Sequence, residues 1–269
     1  MKKILIILSI VTLLLYSCKN EDVLNTNELT NLQACQDNLT AESIFNDVGR
    51  IIEKGLKDNG QNKSCPNYIL MNANSSNIDT LKIDFGNGEC PPINGKIRTG
   101  AIVVTYTGKY NDSLSVMTAT FENYHINYNL VEGERIVINN GRNNNGNLFF
   151  TIDVNNASIT TPSGKINWQS SRIREWVSGK DTYSYISDDK YKIIGSASGN
   201  ASNGDDFTME INTPLTIDLS CLPSCIIKSG TVKLSTNNYV DRIINYGDSL
   251  CDCKVDININ GAIYPIVVN

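Results

Sequence analysis

The stretch Val255-Asp256-Ile257-Asn258-Ile259-Asn260-Gly261 decides the fold class. Apolar and polar residues alternate strictly, which is the period of a strand with one buried face. The closing Asn-Gly supplies the two left-handed residues that a tight hairpin needs. The same grammar recurs upstream. Leu81, Ile83 and Phe85 alternate with polar residues, as do Ile102 and Val104, Ile136 and Ile138, and Phe150 and Ile152. Turn signals interrupt them at Asn94-Gly95, Asn140-Gly141, Asn145-Gly146, Ser163-Gly164 and Asn203-Gly204. About a dozen short antiparallel strands are expected, forming a large curved sheet or a sandwich. Residues 181–190 read as an irregular insert.

Only one segment has helical period. Ile44, Phe45, Val48, Ile51, Ile52 and Leu56 fall on one stripe, with Thr40 as N-cap and Asn59-Gly60 as stop. This predicts one amphipathic helix near 41–58, packed on the sheet. The fold class is therefore mainly β with a single N-terminal helix. The expected organisation is a leader over 1–17, a tether over 18–37, the helix and its connection over 38–64, and one β domain over 65–269.

The leader is Met1 to Cys18. Lys2 and Lys3 precede an apolar run from Ile4 to Leu15. That run is too short for the ~20 residues of a membrane span, and it reads as a secretory signal. Its end, Leu15-Tyr16-Ser17-Cys18, resembles the bacterial lipobox, with Tyr16 where a small residue is usual. The resemblance implies lipidation of Cys18; an ordinary signal peptide with a chance cysteine is the other reading. Cys18-Lys19-Asn20-Glu21-Asp22 resembles the acidic export tag of Bacteroidota surface lipoproteins. The expected address is the outer membrane, lipid-anchored and facing outward.

Composition narrows the function. The chain has 269 residues, of which 41% are hydrophobic, enough for a core. Its net charge is −5, so no broad basic surface exists for nucleic acid. It has one histidine, His125, in a strand-like stretch without a triad around it. No phosphate loop or calcium loop is present, and no cofactor or metal is expected. Carboxylates are plentiful, Glu210, Asp252 and Asp256 among them, and the adjacent pairs Asp188-Asp189 and Asp205-Asp206, beside turn residues, are read as solvated faces.

Excluding Cys18, an odd number of cysteines remains in an oxidising compartment. Two segments echo each other. Cys65 and Cys90 flank two strands and a turn; Cys225 and Cys251 flank another such unit at nearly the same separation. Hairpin geometry predicts Cys65–Cys90 and Cys225–Cys251, with Cys221–Cys253 nested outside. The swapped pairing, Cys221–Cys251 with Cys225–Cys253, stands as the alternative. A zinc site on these last four thiolates is a weaker rival in an exported chain. Cys35 is left over, near the tether.

The stretch Ile166 to Trp176 holds both tryptophans. If extended, it places Trp168, Arg172, Arg174 and Trp176 on one face, a ladder in which guanidinium planes stack on indoles. Two readings stand: a packing ladder against sheet or helix, or a platform for sugar rings.

The succession Tyr106-Thr107-Gly108, Phe121-Glu122-Asn123-Tyr124, Glu132-Gly133, Asn139-Asn140-Gly141, Trp168…Arg172…Trp176-x-x-Gly179, Ile194-Gly195, Pro214-Leu215 and Tyr246-Gly247…Cys251-Asp252 is similar to a family of Bacteroidota outer-membrane lipoproteins with no assigned activity. The resemblance covers most of residues 65–269. It implies location and fold, and carries over no catalytic residue. The expected function is a non-enzymatic binding or structural module of the cell envelope. Its expected partners are the membrane, through the anchor, and a glycan or another envelope component. An envelope hydrolase using a carboxylate pair is the alternative.

Overall fold

The computed structural model describes residues 31–57, 65–71, 78–182, 185–248 and 250–268. The expected signal segment, Cys18 and most of the expected tether lie outside the described residues. Among the described residues one α-helix, α1 (Gln33–Lys57), is followed by 13 strands. These are β1 (Asn67–Met71), β2 (Asp79–Asp84), β3 (Arg98–Tyr106), β4 (Val116–Ile126), β5 (Asn129–Arg142), β6 (Leu148–Thr161) and β7 (Gly164–Ser178), then β8 (Lys190–Asn200), β9 (Asp206–Asp218), β10 (Ile227–Thr236), β11 (Arg242–Asp248), β12 (Lys254–Ile259) and β13 (Ala262–Val267). Each strand pairs antiparallel with its sequence neighbours, from β1 to β13. No ladder joins β13 back to β1 among the described residues, so the sheet is a meander with an open seam.

The sheet curls around α1. Residues from β1, β3, β5, β7 and β11 all reach the helix: Tyr68 lies over Gly55, Arg98 on Asp47, Arg135 on Gly49, Trp168 on Phe45, and Tyr246 beside Leu39 and Glu42. Burial on α1 therefore runs round most of its surface and takes in Asp37, Asn38, Glu42 and Asp47. The one-sided amphipathic helix of the sequence reading is thus a central rod. It also starts earlier than expected. Asn31 Oδ1 accepts the Gln33 amide at 3.0 Å, and Thr40 sits inside the helix with its hydroxyl donating to Gln36 O at 2.8 Å. That back-bond is how a threonine is accommodated away from a cap. The helix thus takes over residues 33–37 of the expected tether, including Cys35.

The curl has a local cause. Strand register shifts at Gly133 and Gly195, both in left-handed backbone. A Cβ at Gly133 would lie 2.7 Å from Ala157 Cα, and one at Gly195 would strike Ser171 O. Only glycine lets the neighbouring strand come so close, and such bulges sharpen the bend of a sheet. Asn140-Gly141 is also a bulge rather than the expected turn: it lies inside β5, with Asn139 Oδ1 accepting the Gly141 amide at 2.8 Å. Asn260-Gly261 is the left-handed pair expected, closing β12 onto β13.

Alternation gave the strands but not always the inner face. In β12, Val255, Ile257 and Ile259 are buried as read. In β5 the inward residues are Val131, Arg135, Val137 and Asn139, and Ile136 and Ile138 are half-buried on the outside. Interior demand decided this: Arg135 is needed beside the helix.

Candidate functional site

The four residues Trp168, Arg172, Arg174 and Trp176 do share a face of β7, and that face is turned inward. All four are buried beneath α1 or the neighbouring strands. Trp168 stacks on Phe45 with centroids 5.4 Å apart and donates to Asn38 Oδ1 at 3.1 Å. Trp176 donates to Asp189 Oδ1 at 3.2 Å and packs against Tyr191 and Tyr110. The sugar-platform reading is corrected, because no ring face is left open to a ligand. The arginines are helix clamps. Arg172 Nη2 lies 3.2 Å from both Glu42 carboxylate oxygens. Arg174 Nη2 lies 2.8 Å from Glu53 Oε1, and its guanidinium stands 4.7 Å from the Tyr191 ring centroid. A third clamp, Arg98 on Asp47 at 2.7 Å, was not singled out in the sequence. Nor was Arg135, which faces Gly49; the glycine in mid-helix opposite a strand arginine was the available signal.

The bridge Cys65–Cys90 forms as read, with Cα atoms 5.2 Å apart. At the other end the swapped pairing holds: Cys221–Cys251 at 5.2 Å and Cys225–Cys253 at 5.1 Å. The preferred nesting, Cys225–Cys251 inside Cys221–Cys253, is overturned. All four cysteines lie in the facing β9–β10 and β11–β12 connections, beyond the ladder, so hairpin register does not govern them. With these sulfurs bridged, they form no zinc site. Cys35 is a free thiol inside α1, and burial pushes it up to about 12, so it stays protonated and inert.

Among the described residues, two solvent-open concavities could take a ligand. The first is a groove of about 290 Å³ at the seam, between α1 and the last strands. Leu39, Tyr246, Ile226, Val255, Val267 and Val268 give it apolar walls. Arg50 and Lys96 stand in the same wall. Lys96 Nζ lies 3.3 Å from Ser43 Oγ, and no carboxylate lies within 4.0 Å of it among the described residues. Burial holds this ammonium below the usual lysine range. The second is a trough of about 530 Å³ on the outer face of β6 to β10. Ser171, Ser196, Ser198 and Ser235 form its small-residue floor, with Gln169 and Glu210 among its larger side chains, and no aromatic ring lines it.

The remaining candidates separate. His125 is half-buried, with Nδ1 3.0 Å from Asn123 O. Asp188 contacts Thr182, whereas Asp189 is buried and its carboxyl is raised to about 6, chiefly by burial. Asp189 is thus not the solvated carboxylate expected from its place beside a turn. Asp218 instead holds Lys190 and Lys228 at the end of β9. No group of three or more metal-ligating side chains exists among the described residues. Compared with protein-family models, curated proteins and solved structures, the chain finds no match.

Proposed function

We propose that this chain is a lipid-anchored protein of the bacterial cell envelope whose β domain is a non-enzymatic binding module. The observation that carries the reading is the seam groove: a solvent-open apolar trench with the Lys96 ammonium in its wall, which no carboxylate among the described residues approaches within 4.0 Å. Such a trench suits an amphiphilic envelope component with an acyl chain and an acidic end, since small-ligand sites are mostly apolar with a few placed polar groups. The anchor rests on Leu15-Tyr16-Ser17-Cys18, and the outward orientation on the acidic residues after it.

A glycan ligand is the second reading. What favours it is the hydroxyl- and carboxamide-rich trough, which offers hydrogen bonds in rows. A hydrolase is disfavoured there by spacing. Asp153 and Glu210 are separated by three ladder steps, Asp153 to Ser171 to Ser196 to Glu210. That is about 14 Å along the sheet, against the ~5–9.5 Å of glycosidase pairs.

Titration with a fluorescent long-chain alkyl carboxylate tests the groove. Saturable binding, lost in Val267→Trp and retained in Ser196→Trp, is the expected result. Retention in Val267→Trp with loss in Ser196→Trp moves the site to the trough, and binding by neither overturns both. The anchor is tested separately by labelling with a palmitate analogue, which Cys18→Ala should abolish.

A further inference from the structure

Behind the seam groove, between α1 and the inner face of β5 to β9, lies a cavity of about 60 Å³. One water needs only ~10–15 Å³, so the space is more than a packing defect. Its walls carry Arg50, Arg135, Arg172 and Arg174 against only two carboxylates, Glu42 and Glu53. Asp47, the remaining acid on this part of α1, is shared by Arg50 and Arg98. Four guanidiniums therefore line the space against two carboxylates.

The surplus is visible atom by atom. Arg172 places Nη2 on Glu42, while its Nε and Nη1 are buried without a hydrogen-bond partner among the described residues. Arg174 Nε and Arg50 Nε are likewise buried and unpartnered. Arg135 is 6% exposed, has no carboxylate within 4.0 Å among the described residues, and lies against the bare backbone of Gly49. Arginine does not escape by deprotonating. Buried charges are stable only when paired, and an unmet buried donor carries its full desolvation cost. Water would satisfy the donors but leave the charge.

We propose that this cavity is an internal anion site, holding one compact anion of halide or carboxylate size between Arg135, Arg172 and Arg174. It does not depend on the ligand of the seam groove, although the two spaces share Glu42, Asn46, Arg50 and Ile226 in their walls. A free halide and the acidic end of an amphiphile present the same chemistry here.

The test is thermal unfolding of the detergent-solubilised full chain, with chloride or bromide exchanged for gluconate at constant ionic strength. The expected result is a saturable rise in Tm of roughly 3–6 °C at tenfold excess over Kd. Arg135→Met should flatten that dependence. Should this variant fail to fold, crystals of the wild-type chain grown in bromide carry the test: an anomalous peak within hydrogen-bond distance of Arg172 is expected. A long-chain fatty acid that suppresses the bromide peak identifies the resident group as a carboxylate; a peak that persists identifies a free ion. A Tm indifferent to halide and fatty acid alike, with no peak in the cavity, overturns the proposal.

Discussion

The inner wall of the sheet differs between its centre and its C-terminal end. In β12, Val255, Ile257 and Ile259 point inward and Asp256 outward, so burial follows hydrophobicity. In β7 the order is reversed: Arg172 and Arg174 are buried, while Ile173 is 43% exposed and Ile194 of the adjoining β8 is 44% exposed. The two regions belong to one continuous sheet. What differs is what faces them. The central strands meet Glu42 and Glu53 of α1, and a buried carboxylate must find a cation. No carboxylate of α1 bonds to β12 or β13 among the described residues. A strand's inner face is thus set by its partner surface as much as by its own composition.

The contrast can be broken at the ionic end first. Asp47 and Arg98 have side chains 1% exposed, so Asp47→Asn strands the Arg98 guanidinium in the interior and removes the partner of the half-buried Arg50. The expected loss is ~3–5 kcal/mol, read from urea unfolding. At the apolar end, Ile257→Ala should cost about 2–5 kcal/mol through a cavity, and Ile257→Val only ~0.5–1.5. A graded response at Ile257 beside an all-or-none response at Asp47 would confirm that the two walls are held by different forces.

The disulfides lie outside both walls. Replacing Cys225 and Cys253 together by serine should lower stability by about 2–4 kcal/mol. Peptide mapping of the wild type under non-reducing conditions should yield Cys221–Cys251 and Cys225–Cys253 fragments; a Cys225–Cys251 fragment would refute the pairing.

A sharper comparison removes both members of one ion pair. Glu42→Leu with Arg172→Met turns part of the central wall into the C-terminal kind. The double variant should lie within about 1 kcal/mol of wild type or above it, although Glu42→Gln alone is clearly destabilised. The smallest effect is one of pH. Asp189 has its folded pKa raised to about 6, so the folded state holds this proton more tightly than the unfolded chain. Its contribution to stability is therefore largest below the ordinary carboxylate range and is lost as pH rises through about 6. Asp189→Asn should gain on wild type as pH climbs from 4 to 7, a difference that pH-dependent thermal unfolding reads directly.

Part of this molecule is readable along the chain. Period two with Asn-Gly turns is a local property of backbone and side-chain alternation, so strand class and the β12–β13 hairpin follow from the residues themselves, whereas the choice between one curled sheet and a sandwich does not. The ladder on β7 was recognisable for the same reason, since even positions of a strand must share a face. The cysteine pairing at Cys221 to Cys253 was not, because those residues sit in loops where register has no hold. The seam groove was unreadable too: it is made by α1, the β9–β10 connection and the end of β13, which sequence does not place side by side.

The sequence by itself determined a mainly β chain with one N-terminal helix, because strand alternation, helical period and turn chemistry each act over a few residues. Tertiary structure alone decided that the helix is a rod inside the curled sheet, that Arg172 and Arg174 clamp it while isoleucines face out, and that guanidiniums outnumber carboxylates around one cavity. Burial of charge depends on which partner lies across the interior, and that partner is more than a hundred residues away in the chain: Arg172 and Glu42 are separated by 130 positions.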